Sequence, residues 1–124
     1  MNKKRIKDPI YGTVIWCVWN CNNEEFGNWI KKRYKHDIPQ KLFSGYTLEM
    51  GDGYCSEFII YYQTAEWTFD FIGTLHHELV HLTQYIMEYV GIEFNRETTE
   101  AYAYFSSYLL KQIVLAIFKQ DIYE

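Results

Sequence analysis

Uninterrupted apolar runs alternate along this chain with stretches whose apolar residues recur at helical spacing. Residues 13–19 (TVIWCVW) are rich in β-branched and aromatic side chains. They predict a strand, and the lack of polar alternation predicts burial on both faces. Residues 20–23 then break the pattern. A short helix is expected over 24–34, with Phe26, Trp29, Ile30 and Arg33 at helical spacing. Its basic end, Lys31-Lys32-Arg33, suits the helix dipole and reads as a solvated terminus rather than a phosphate site. Residues 43–50 (FSGYTLEM) and 55–62 (CSEFIIYY) predict two further strands, joined through Gly51-Asp52-Gly53-Tyr54 as a hairpin. Tyr46, Leu48 and Met50 share one face of the first, and Phe58, Ile60 and Tyr62 one face of the second. With three strands at least, one must be an edge. Residues 1–8 read as a flexible basic lead.

Two long helices follow. The first is expected from about Asp70 to Val90, with Gly91 placed to end it and Leu75, Leu79, Leu82 and Ile86 as its apolar stripe. The second, over 98–119, is apolar on most of its circumference, which predicts burial. The short connection between them predicts an antiparallel pair. The pattern as a whole predicts an α+β fold, one domain over residues 1–124, with a small, mostly antiparallel sheet packed on the first long helix.

That first long helix carries the candidate chemistry, His77-Glu78-Leu79-Val80-His81. Imidazoles four residues apart project from one helical face, close enough to share a metal ion. Glu78 stands beside them as a base able to take a proton from an attacking water. At about 100° per residue, the leucine stripe lies roughly opposite the histidines. The leucines can then pack on the sheet while the histidines point away, so the site needs a covering element, and the last helix is the expected one. A catalytic zinc usually has three protein ligands. Glu97 and Glu100, about a turn apart near the start of that last helix, are the candidates for the third. One could ligate while the other hydrogen-bonds a ligand histidine. Asp70 is a more distant candidate, and either glutamate could instead only stabilise the helix start.

Charge and cysteine content narrow the partners. Sixteen acidic against 12 basic residues, a formal charge of −4, argue against nonspecific nucleic-acid binding. No stretch approaches 18 uncharged apolar residues, so no membrane partner is expected. The basic start is followed too soon by Asp8-Pro9 to resemble a signal peptide. Three cysteines form no dense disulfide pattern, which suggests a reducing cytoplasm. Cys17 and Cys21 make a thin case for a second metal site and read better as buried thiols. Oligomeric state has no signature in the sequence.

The His77-Glu78-x-x-His81 motif resembles the shared core of the zincin metallopeptidases, specifically those whose third ligand is a glutamate on a following helix. Glu100-Ala101 followed by Tyr104, Phe105 and Leu109-Leu110 looks like the downstream helix of small bacterial and phage zincin-like proteins. It is also similar to the immunity-repressor peptidases of mobile elements, where a Glu-Ala pair opens the helix carrying the last ligand. The resemblance covers residues 71–110 and implies a minimal zincin-like fold, zinc as cofactor, a peptide or protein substrate and Glu100 as third ligand, with Glu97 as the alternative. The longer metzincin pattern is absent: His36 lies upstream and His76 points about 100° off the site. So is the Asn-Glu-x-x-Ser-Asp motif of thermolysin-like enzymes. The tyrosines 61, 62, 85, 102 and 104 stand as unranked candidates for stabilising an oxyanion.

The expected function is a small zinc-dependent peptidase. Zinc activates a water, Glu78 removes its proton and later delivers it to the leaving amine. By analogy with zincins, the substrate would align along the sheet's edge strand. The alternative is a non-catalytic, zinc-stabilised protein-binding module. Glu78, which a purely structural zinc site does not need, weighs against it.

Overall fold

The structure, a computed structural model, describes residues 1–39, 43–51 and 56–122, with side chains through Lys119. Seven elements run along the chain: β1 (Asn2–Lys7), β2 (Val14–Trp19), α1 (Asn23–Tyr34), β3 (Gly45–Met50), β4 (Glu57–Tyr62), α2 (Phe69–Tyr89) and α3 (Thr99–Ile122). The four strands make one mixed sheet in the order β1-β2-β4-β3. β1 pairs antiparallel with β2, and β3 with β4; the central pair β2 and β4 is parallel. The fold is thus α+β, with helices on both faces of a small sheet.

Pleating explains which residues meet which helix. On one face Phe26 and Ile30 of α1 pack with Val18, Met50, Ile59 and Tyr61, and Tyr46 and Leu48 border that cluster. On the other face Ile15, Cys17, Phe58, Ile60 and Tyr62 meet Leu75, Leu79, Leu82 and Ile86 of α2. Both expected strand faces, 46/48/50 and 58/60/62, are therefore found. β2 is buried on both sides, because its alternate residues feed the two cores. The ends of the helices follow local chemistry. Asn22 caps α1 in a reciprocal capping box with Glu25. Thr68 caps α2, and Gly91, at φ +83°, turns the chain out of it. The expected hairpin turn lies mostly outside the described residues, at 52–55.

Two expectations need correction. Residues 2–7 are not a loose lead; they form the edge strand β1. The reason is Asp8. Its buried carboxylate accepts from the backbone N–H of Ile10 at 2.7 Å and of Tyr11 at 3.2 Å. It also accepts from the hydroxyl of Thr13 at 2.7 Å. Gly12, at φ +74°, completes the reversal that lays β1 on β2. Asp8→Ala is expected to cost about 2 kcal/mol, the scale for hydrogen bonds to a charged acceptor when the donors are left unpaired. Urea denaturation would show it, and a loss below roughly 0.5 kcal/mol would mean that the turn does not depend on the carboxylate.

The second correction concerns α3. It packs beside α2 on the same sheet face, contributing Phe105, Leu109 and Ile113 to the core with Ile6 and Ile15. It does not lie over the histidine pair. The unforeseen strand accounts for this: β1 widens the sheet beyond what α2 alone can cover, and α3 covers the added width. Burial of α3 is accordingly one-sided. Over Thr99–Lys119 it is long and apolar enough to cross a membrane, at mean hydropathy 1.3, although charges such as Lys111 interrupt the run, and 17 % of the scored window is buried. Phe105, Leu109 and Ile113 of this helix lie in the core against the sheet.

Candidate metal and catalytic site

Helix α2 places three of the expected site residues together. The rings of His77 and His81 have centroids 4.9 Å apart and meet edge to face. His77 is exposed, its side chain 68 % accessible, whereas the Glu78 side chain is 8 % accessible. The helix sets this contrast. Glu78 lies toward the sheet's β3 edge, and His77 and His81 face outward.

The two carboxylate oxygens of Glu78 have different surroundings. Oε1 accepts from the hydroxyl of Thr47, on β3, at 2.6 Å. Oε2 lies 3.8 Å from Nε2 of His77. The Thr47 oxygen also lies 3.2 Å from the backbone carbonyl oxygen of Glu78, so strand and helix meet closely here. Gly45, two residues before Thr47 and on the same face of β3, permits the approach. A Cβ at Gly45 would stand 2.8 Å from Cγ of Glu78 and 2.8 Å from Cγ2 of Thr74, inside van der Waals contact. The side chains of Ser44 and Thr74 also approach each other there, at 3.5 Å.

The glutamates proposed for the third ligand stand elsewhere. Glu97 and Glu100 are exposed, at the loop before α3 and in its first turn. Among the described residues no group of three His, Cys, Asp or Glu side chains is set to hold a metal ion. His77 and His81 thus fit two of the positions a zinc ion needs, and the buried carboxylate beside them fits a base, while the third ligand is not gathered in this arrangement. Asp70 lies at the other end of α2's first turns, on a small cleft with Ser44, Thr68 and Thr74.

Three of the five tyrosines are hydrogen-bonded elsewhere, and a fourth stands on α3, away from the histidines. Tyr61 and Tyr62 are fully buried; their hydroxyls donate to the carbonyls of Cys21, at 2.7 Å, and Leu75, at 3.1 Å. Burial drives both phenols well above their ordinary pKa. Tyr102 donates to the carbonyl of Ile92, and Tyr104 stands out from α3, 74 % exposed. Tyr85 remains: its ring stacks on His81 at 6.0 Å, one helical turn on. The i, i+4 spacing of His81 and Tyr85 was the signal for it. Thr47 was not foreseen, since nothing in a strand sequence says which helix residue faces it.

The thiols of Cys17 and Cys21 are buried, and burial raises both, that of Cys21 to about 11. Buried protonated thiols fit core packing, and they lie in opposite cores. A separate cavity of about 810 Å³ opens between α2 and α3, lined by residues including His76, Val80, Glu88 and Phe94. His77 and His81 lie roughly 100° round the helix from His76 and Val80, so this cavity is not the histidine site. Comparison with protein-family models, with curated proteins and with solved structures finds no match.

Proposed function

We propose that this protein is a zinc-dependent metallohydrolase, a small peptidase of zincin-like type, in which His77 and His81 hold the ion and Glu78 is the base. The observation that carries the reading is the pairing of two outward imidazoles with a buried, oriented carboxylate on the same helix turn. A metal-only structural site has no use for that carboxylate. Zinc, when bound, supplies Lewis acidity toward water and a substrate carbonyl. Glu78 receives the proton of the attacking water and passes it to the leaving amine. Tyr85, whose ring lies beside that of His81, is our candidate for donating to a developing oxyanion. Glu100 is carried over from the zincin resemblance as the third ligand, with Glu97 as its alternative.

Zinc content tests the ligand set. One zinc per chain is expected by elemental analysis after dialysis, lost on replacing His77 or His81 with alanine. Full occupancy in either variant would remove the assignment. Glu100→Ala should weaken zinc binding more than Glu97→Ala; the reverse order moves the third ligand to Glu97, and no effect of either leaves the ion on two histidines with solvent. The competing reading, a non-catalytic zinc-stabilised module that binds a protein, draws on exposed aromatic residues such as Trp67, Phe69 and Phe94. Stoichiometric zinc without cleavage of any peptide or protein tested would favour it.

A further inference from the structure

We infer that Thr47 is a positioning residue for Glu78: by holding Oε1 it leaves Oε2 as the oxygen that exchanges the proton. This rests on the peptidase reading above. Three observations make the case. Thr47 is buried, and its hydroxyl lies 2.6 Å from Oε1. Oε2 is the oxygen turned to the histidine side, 3.8 Å from Nε2 of His77. Gly45 leaves out the side chain that would push strand and helix apart at this point. Thr47 and Gly45 sit at i and i+2 on β3, so one face of a single strand both makes the space and supplies the donor.

A glutamate side chain has three rotatable bonds, and an unanchored carboxylate beside two outward imidazoles would sample several orientations. The hydroxyl of Thr47 fixes one. During reaction the proton leaves water for Oε2 as the water oxygen bonds to the carbonyl carbon. Oε2 then gives it to the amine nitrogen as the C–N bond breaks. Oε1 keeps its hydrogen bond throughout, so the carboxylate need not turn between the two transfers.

The test compares zinc-loaded wild type, Thr47→Val, Thr47→Ser and Glu78→Gln on a fluorogenic peptide library and fluorescein-labelled casein. Valine keeps the shape of threonine and removes the hydroxyl. Thr47→Val is expected to lower kcat about 10-fold or more, within the range for misplacing a catalytic group, with KM and zinc content unchanged. Thr47→Ser, which restores a hydroxyl, should recover most of kcat. Wild-type kcat in Thr47→Val beside an inactive Glu78→Gln would overturn this inference and leave the peptidase reading standing. A loss confined to KM, or no rescue by serine, would overturn it too. No cleavage by wild type would overturn both. Metal-free protein gives a second readout: the fall in melting temperature caused by Thr47→Val or Thr47→Ala, both of which remove the hydroxyl, should shrink in a Glu78→Leu background. An undiminished fall would show that the hydroxyl does not serve Glu78.

Discussion

Glu78→Gln is expected to leave one zinc bound per chain and to lower peptide cleavage by roughly 10²-fold or more, the scale of losing a general base. Glutamine keeps the length and planarity of the side chain. Its carbonyl oxygen can still accept from Thr47, the bond that now joins the hydroxyl to Oε1. The strand–helix contact therefore survives and the melting temperature should move little. What disappears is the ability of the second position, now Oε2 facing His77, to take a proton. Measuring cleavage of wild type and variant at matched zinc occupancy decides the matter. Equal rates would remove Glu78 from the chemistry.

Phe105→Ala should lower stability by about 3–5 kcal/mol, the usual cost of truncating a fully enclosed phenylalanine. Phe105 is 2 % exposed, sits in the core shared by the sheet, α2 and α3, and meets the ring of Tyr11 edge to face at 4.9 Å. The size of the effect separates two placements of α3. A helix clasping the sheet loses a central side chain and leaves a cavity; a helix laid over the histidines would keep Phe105 near the surface and lose about 1 kcal/mol or less. Chemical denaturation of the metal-free protein reads the difference.

The sequence announced its regular elements and its histidine-bearing turn more clearly than their arrangement. Strand 14–19, the hairpin strands and the two long helices follow from local pattern, since burial on one face or two writes itself into residue spacing. The His77-Glu78-x-x-His81 turn is equally local, because a helix alone brings i and i+4 together. β1 was missed because five of its six residues are polar and only Ile6 faces the core, so alternation had nothing to show. A clue was present in Asp8-Pro9 through Gly12-Thr13, a turn segment between two runs able to pair. The last helix is expected over the histidines because two outward imidazoles need cover, whereas a sheet widened by β1 takes α3 on its own face. Glu97 and Glu100 enter the expected site through that placement of α3. Thr47 and Gly45 depend on how a strand and a distant helix are juxtaposed, which no local spacing records.

The basic character of β1 has a consequence for what the sheet can accept. Lys3, Lys4, Arg5 and Lys7 line one outer margin, and a second extended chain approaching there would have to strip water from ammonium and guanidinium groups on its way in. Such charge is a common guard against runaway strand-to-strand association. The opposite margin, β3, carries one charged residue, Glu49, and passes beside Glu78. The two margins of the sheet therefore differ in charge: β1 discourages the addition of a further strand, whereas β3, the margin beside Glu78, carries a single charged residue.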